Sequence, residues 1–393
     1  MLRLEREVVV LLVAVGALGI SCMMTQLALM REMLEVFGGN EMVLGILLGN
    51  WLLLSGIGAG LGRMADRLKN PIRFLVVAQI LVAILPLVQV FLLRTIRNLV
   101  FTPGAQIGVL ETVASSFLLL SPYCLLSGVF LILVCSILSA KEEAKGIGRV
   151  YQADCLGSLA GGILFSFVLV QLWDHLRLLT FPAMLNLAAA WLIICHWNKD
   201  YRVIAGNDTG VERPSGPASP HPRRASRAVD AWALNAPKRA WTASVGVTAA
   251  FILGLALFTN LDAYSTALQY PGQNLLITVQ SPYGKLVLTE SGGQLNFFEN
   301  GLPIASTQDR ARVEESVHYA MSQRPDARWV LLLFNGIWGT AKEILQYGVD
   351  KVDYLERDPC LIEAGRKYLA TNLDDQRINL LNADLRGGWT GLC

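Results

Sequence analysis

The stretch "VLLLFNGIWGTAKEIL", Val330 to Leu345, decides how the C-terminal third of the chain is read. The apolar run Val330 to Leu333 has the length of a buried strand. A turn with Gly336 and Gly339 follows, and then a helix from Thr340. Strand, glycine turn and helix in that order open a nucleotide-binding unit. Such a turn needs bare backbone, because a bound nucleotide lies against it and leaves no room for a Cβ. Here the turn also carries Phe334, Asn335 and Trp338.

Downstream, Gly348 stops the helix at 340–347, and the pattern predicts a strand at 351–355, a helix at 359–370 and a strand at 378–382. Upstream it predicts a helix over 309–322 and a strand over 328–334. Strands alternating with helices imply a parallel, Rossmann-like sheet over 307–393, and only half of one. Before it, "LLITVQSPYGKLVLTESGGQLNFFENGLPIAS" alternates apolar and polar residues. It breaks at Ser291-Gly292-Gly293 and at Asn300-Gly301, which are hairpin signals, giving a β-hairpin subdomain over 260–306.

The first two thirds are of another kind. The chain has 393 residues, 53% hydrophobic and 16% charged, with a mean hydropathy of +0.45, too apolar for an ordinary soluble protein. Runs able to cross a bilayer core of about 30 Å, roughly 20 helical residues, lie near 8–30, 42–62, 74–93, 113–138, 151–172 and 178–196. A shorter, uncharged seventh run covers 241–258. The first is too long for a signal peptide and is followed by further spans. The fold class expected is therefore a multi-pass α-helical membrane domain, 1–196, followed by an α/β domain. Between them the Pro/Ser-rich basic segment 197–240 reads as a flexible linker.

Basic residues set the orientation. Arg63, Arg67, Lys69 and Arg73 follow span two; Lys141, Lys145 and Arg149 follow span four; Arg202, Arg213, Arg223, Arg224, Arg227, Lys238 and Arg239 mark the linker. These loops and the N-terminus are expected in the cytoplasm, in a protein of the cytoplasmic membrane. A crossing by 241–258, which its length and lack of charge favour, places the α/β domain on the other side. The net charge of +2 gives no reason to expect nucleic acid. The seven cysteines show no CxxC pair and no metal spacing, and five of them (Cys22, Cys124, Cys135, Cys155, Cys195) sit in apolar runs as small hydrophobes.

Gly56, Gly58, Gly60 and Gly62, and the GxxxG of Gly157 and Gly161, are expected to let helices pack closely. Glu32 and Asp154, acids at span boundaries, are candidates for a polar path or a buried partner.

The segments "SPYGKLVLTESGGQLNFFENG", "EESVHYAM", "VLLLFNGIWGTAKEIL" and "VDYLERDPCLIEAGRKYL" follow one another as in the spermidine synthase family of polyamine aminopropyltransferases. The whole chain resembles the bacterial membrane-fused branch. That resemblance implies a methyltransferase-like fold using decarboxylated S-adenosylmethionine as cosubstrate and a polyamine or other small amine as acceptor, without a metal. It places the family's glycine-rich loop on Phe334 to Gly339, of which only Gly336 and Gly339 remain glycine. It assigns Glu356 to the ribose hydroxyls and Asp384 to the adenine amine. On the amine side it retains Asp309, but sets Gly284 and Ile304 where the family has glutamines, Arg310 where it has an acid and Val313 where it has tyrosine. The family's base aspartate falls beyond Cys393, so no general base is assigned.

Three readings follow: a C-terminally truncated, catalytically impaired aminopropyltransferase anchored in the membrane; an active transferase of which this is a fragment; and a transporter or membrane scaffold with a regulatory synthase-like domain. The partners expected are the lipid bilayer and a small amine, with a homo-oligomer left open.

Overall fold

The computed structural model describes residues 2–37, 41–64, 70–101, 107–142, 144–196, 238–281, 283–369 and 372–383. The linker expected at 197–240 lies almost wholly outside them, as does Asp384.

The N-terminal region is helical: α1 Leu2–Phe37, α2 Glu41–Gly62, α3 Pro71–Val100, α4 Val109–Glu142, α5 Ala144–Leu164 and α6 His175–His196. A π turn, Phe165–Leu169, and a single helical turn, Val170–Leu172, continue α5. Beyond the linker comes α7, Lys238–Phe258. Seven helices of the described residues are long and apolar enough to cross a membrane, by length and composition. They outrun the apolar runs because flanking Glu, Arg, Leu and Met are strong helix formers. At 1.5 Å per residue the 36 residues of α1 reach about 54 Å, so its last turns, with Glu32 and Glu35, extend past the apolar run 8–30. The earlier start of α5 sets Asp154 in its third turn, about 15 Å from the helix start, not at its beginning.

Glycine fixes two helix contacts. A Cβ on Gly157 would strike the backbone of Gly16, and one on Gly161 the backbone of Ile20, so α5 lies directly on α1. Gly58 meets the Leu125 backbone and Gly128 meets that of Ser55 and Ala59, which does the same for α2 and α4. Gly56 and Gly60, by contrast, face open space.

α7 packs along α6. Ile252, Leu255 and Thr259 at its end share a cavity of about 280 Å³ with Leu176 and Thr180 at the start of α6 and with Leu87 and Phe91 of α3. α7 is thus antiparallel to α6 and ends where α3 ends. A short helix, α8 Leu261–Ala267, capped by the Asn260 side chain, leads into an antiparallel sheet of order β1-β2-β3-β4: β1 Asn274–Gln280, β2 Lys285–Ser291, β3 Gln294–Glu299 and β4 Leu302–Ser306. Then follow α9 Arg310–Met321, β5 Trp329–Leu333, α10 Thr340–Ile344, β6 Lys351–Glu356, α11 Pro359–Tyr368 and β7 Ile378–Asn382. The last three strands pair in parallel, β5-β6-β7.

This parallel sheet is covered on one face. Val330, Leu332, Val352 and Ile378 pack with Val317, Ala341 and Ile344 of α9 and α10. On the other face Trp329, Leu331 and Leu333 are exposed. The antiparallel sheet closes on α11: Leu286, Leu288 and Phe297 meet Leu361, Ala364 and Leu369.

Candidate functional site

The loop after β5 keeps the backbone path of a glycine turn with other side chains on it. Phe334 and Asn335 both have left-handed backbone, φ 62° and 60°, a conformation that costs a bulky residue strain. Phe334 is held there by its N–H donating to the Leu355 carbonyl at 2.9 Å. Gly336–Trp338 form one 3₁₀ turn and Gly339, φ 103°, begins α10.

Two features occupy the space around this loop. Inside, a Cβ on Gly336 would strike the Tyr354 ring, and Tyr354 is fully buried. Its hydroxyl donates to Glu356 Oε2 at 2.7 Å. Burial, and then the Glu356 charge, pushes that phenol far above its ordinary pKa, while N–H groups of Ile337 and Gly336 at the same oxygen pull the other way. Tyr354 therefore remains a proton donor to Glu356, and its ring fills the space against Gly336. The second Glu356 oxygen accepts the Arg357 N–H at 3.0 Å, and the residue is 3% exposed. Above it the Arg357 guanidinium lies 4.9 Å from the Tyr283 ring centre and 5.8 Å from that of Phe334. The strand end is roofed by an arginine between two aromatic rings.

Outside the loop Trp338 packs against Phe297 at a tilt of 58°, centroids 4.4 Å apart. It lines a cavity of about 420 Å³ and another of about 160 Å³. Ser306, Asp309 and Val313 stand with it in the walls of both, so the two cavities adjoin along α9 and the loop. The indole Nε1 is buried with no partner among the described residues; the position carries bulk, not a hydrogen bond.

The expected site residues are therefore only partly together. Asp309, Gly339 and Trp338 line the larger cavity, and Ile304, Asp309, Val313, Asn335 and Trp338 the smaller. Glu356 lines neither. Asp309 sits at the start of α9, 3.7 Å from Arg312.

Set against known proteins, no protein-family model matches the chain. A polyamine aminopropyltransferase of Lachnospira eligens is 37% identical over 133 residues, 32% of this chain and 47% of that protein. The C-terminal part of this chain is spermidine-synthase-like. A polyamine aminopropyltransferase of Mycobacterium tuberculosis is 25% identical over 256 residues, 63% of this chain and 42% of that one. Putrescine N-methyltransferase 2 of Nicotiana attenuata is 31% identical over 116 residues, 28% of this chain and 29% of the relative. A solved spermidine synthase, in complex with the transition-state analogue AdoDATO, is 28% identical with a TM-score of 0.27, covering 28% of this chain and 40% of that one. This chain spans less than half the length of each of these curated relatives.

The spermidine-synthase-like part is joined to the helices by a buried ionic cluster of which sequence reasoning had singled out only Glu32. Arg94 of α3 donates Nε and Nη2 to the two oxygens of Glu32 of α1, at 2.7 and 2.5 Å. Its Nη1 donates to Asp262 Oδ1 and Ser265 Oγ of α8, each at 2.7 Å. His175 of α6 adds Nδ1 to Glu32 at 2.6 Å. Lys285 of β2 donates to Glu35 of α1 at 3.1 Å and Thr266 of α8 at 2.9 Å. All these side chains are buried. Glu32 is thus saturated by protein partners. Asp154 lies elsewhere: it abuts Gly19, about 20 Å along α1 from Glu32. The legible signal was an acid and a base, Glu32 and Arg94, each just past an apolar run.

Proposed function

We propose that this is a membrane-anchored relative of the polyamine aminopropyltransferases in which aminopropyl transfer from decarboxylated S-adenosylmethionine to an amine is impaired. The observation that carries the reading is Glu356, the acid aligned with the ribose ligand, buried with both oxygens taken by Tyr354 and Arg357. An S-adenosyl nucleoside does not fit this arrangement, and no catalytic step is derived for one.

Membrane anchoring is supported by the seven long apolar helices and by the path of α7, which runs antiparallel to α6 and carries the soluble part to the end of the bundle opposite the basic loops. The saturated Glu32 favours a clamp between the two halves over a solute path.

The test is a transfer assay on the full chain in detergent, with decarboxylated S-adenosylmethionine and putrescine. The expected outcome is no release of methylthioadenosine above a no-protein control. Release that scales with protein would return active transfer to first place.

A further inference from the structure

A cavity of about 370 Å³ lies between the helix bundle and the antiparallel sheet, within the ~300–1,000 Å³ of small-molecule sites. Arg31 and His175 come to it from the bundle, and Gln280, Tyr283, Lys285 and Glu299 from the sheet. Buried nitrogens without a partner among the described residues are concentrated here: Arg31 Nη1, His175 Nε2 and Gln280 Nε2. A buried polar atom left unpaired is costly, so three residues of this wall carry hydrogen-bonding capacity that the protein itself does not use.

The charges say what ligand would use it. Lys285 is neutralised by Glu35, and His175 turns its other nitrogen to Glu32. Arg31 and Glu299 then remain as a cation and an anion without an ion-pair partner among the described residues. Among the described residues the Arg31 guanidinium has the Phe165 ring beside it, its centre 6.0 Å from the guanidinium carbon.

We propose that this cavity binds a small zwitterion, its ammonium group at Glu299 and its carboxylate or phosphate at Arg31, with Gln280 as a further donor to the anion. Setting His175 aside, the lining holds two basic side chains, Arg31 and Lys285, and two acidic ones, Glu35 and Glu299, a balance that suits a ligand of zero net charge. A diamine would set its second ammonium against Arg31. Glu299 has its own need of a cation: burial pushes its carboxyl up, Arg357 pulls it down, and the charges of Asp358 and Glu356 push it up again. The ligand can be a free ω-amino acid or the headgroup of an ethanolamine phospholipid, since the cavity opens where the helices end. The inference does not rest on the closed nucleoside loop, since neither Trp338 nor Glu356 lines this cavity.

The experiment is calorimetric titration of the full chain in detergent with 6-aminohexanoate, 1,5-diaminopentane and hexanoate, alongside native mass spectrometry of the chain taken from nanodiscs of phosphatidylethanolamine or phosphatidylglycerol. For a free ligand, 6-aminohexanoate should bind about tenfold more tightly than either singly matched probe. Arg31→Gln and Glu299→Gln should each remove that preference, and Arg31→Lys, which keeps the charge, should restore most of it and exclude misfolding. For a lipid ligand, no free probe binds, and phosphatidylethanolamine is retained in preference to phosphatidylglycerol and lost in Arg31→Gln. Diamine binding as tight as that of 6-aminohexanoate, binding indifferent to both charge variants, or neither free nor lipid ligand retained, would each overturn the proposal.

Discussion

Tyr354 and Glu356 set the chemistry of the strand end at the scale of single residues. Two residues apart on β6, they share a face, and the phenol donates to the carboxylate while its ring lies against Gly336. Tyr354→Phe removes one donor from a buried carboxylate and should lower stability by about 1–3 kcal/mol, read as a fall in unfolding midpoint in detergent. An unchanged midpoint would mean that Glu356 reaches solvent. Sequence reasoning found Glu356 and the intrusive Phe334 and Trp338 but not Tyr354, because an aromatic in "VDYLERD" is an ordinary strand residue until the register shows what it faces. Trp338, expected to crowd the turn, packs on Phe297 and stands in the walls of both neighbouring cavities.

Among elements, the glycines of α2 separate packing from mere composition. Gly58 lies against the Leu125 backbone of α4, whereas Gly60, half a turn on, faces open space. Gly58→Ala should therefore destabilise by about 1–3 kcal/mol, the usual cost of overpacking, while Gly60→Ala leaves the midpoint unchanged or slightly raised. Equal effects at both positions would contradict this packing of α2 on α4. The α/β elements were legible because period and punctuation agree: Gly348 ends the turn after α10, and Asp358-Pro359 starts α11 with a side-chain cap at 2.9 Å. The start of α5 was not legible, since the polar residues from Ala144 onward interrupt the apolar signal without interrupting the helix. The cluster around Arg94 was hidden for another reason: its members are up to 253 residues apart, Glu32 to Lys285, and only tertiary packing brings α1, α3, α6, α8 and β2 together.

For the whole molecule, that cluster is the clamp between bundle and soluble part. Arg94→Met would leave Glu32 and Asp262 buried without their cation, a change that typically costs about 3–5 kcal/mol, and the loss should show as cleavage by protease at the α7–α8 junction before the bundle itself unfolds. Cleavage no faster than in the parent chain would argue against a clamp. In the proposed membrane topology the path of α7 also sets sidedness. Cysteines introduced at Ala218 and at the exposed Ser316 should label from opposite faces of intact cells, Ala218 protected and Ser316 reactive; labelling of both from one face would overturn the span order. The central claim, that a spermidine-synthase-like domain has been closed to its nucleoside, is tested most directly by titrating the full chain with methylthioadenosine in the calorimeter, beside a variant carrying Phe334→Gly, Trp338→Gly and Tyr354→Phe, the last of which frees one Glu356 oxygen. The account predicts no heat of binding below about 1 mM, some 4 kcal/mol, for the parent chain and measurable binding for the variant. Micromolar binding by the parent chain would contradict it.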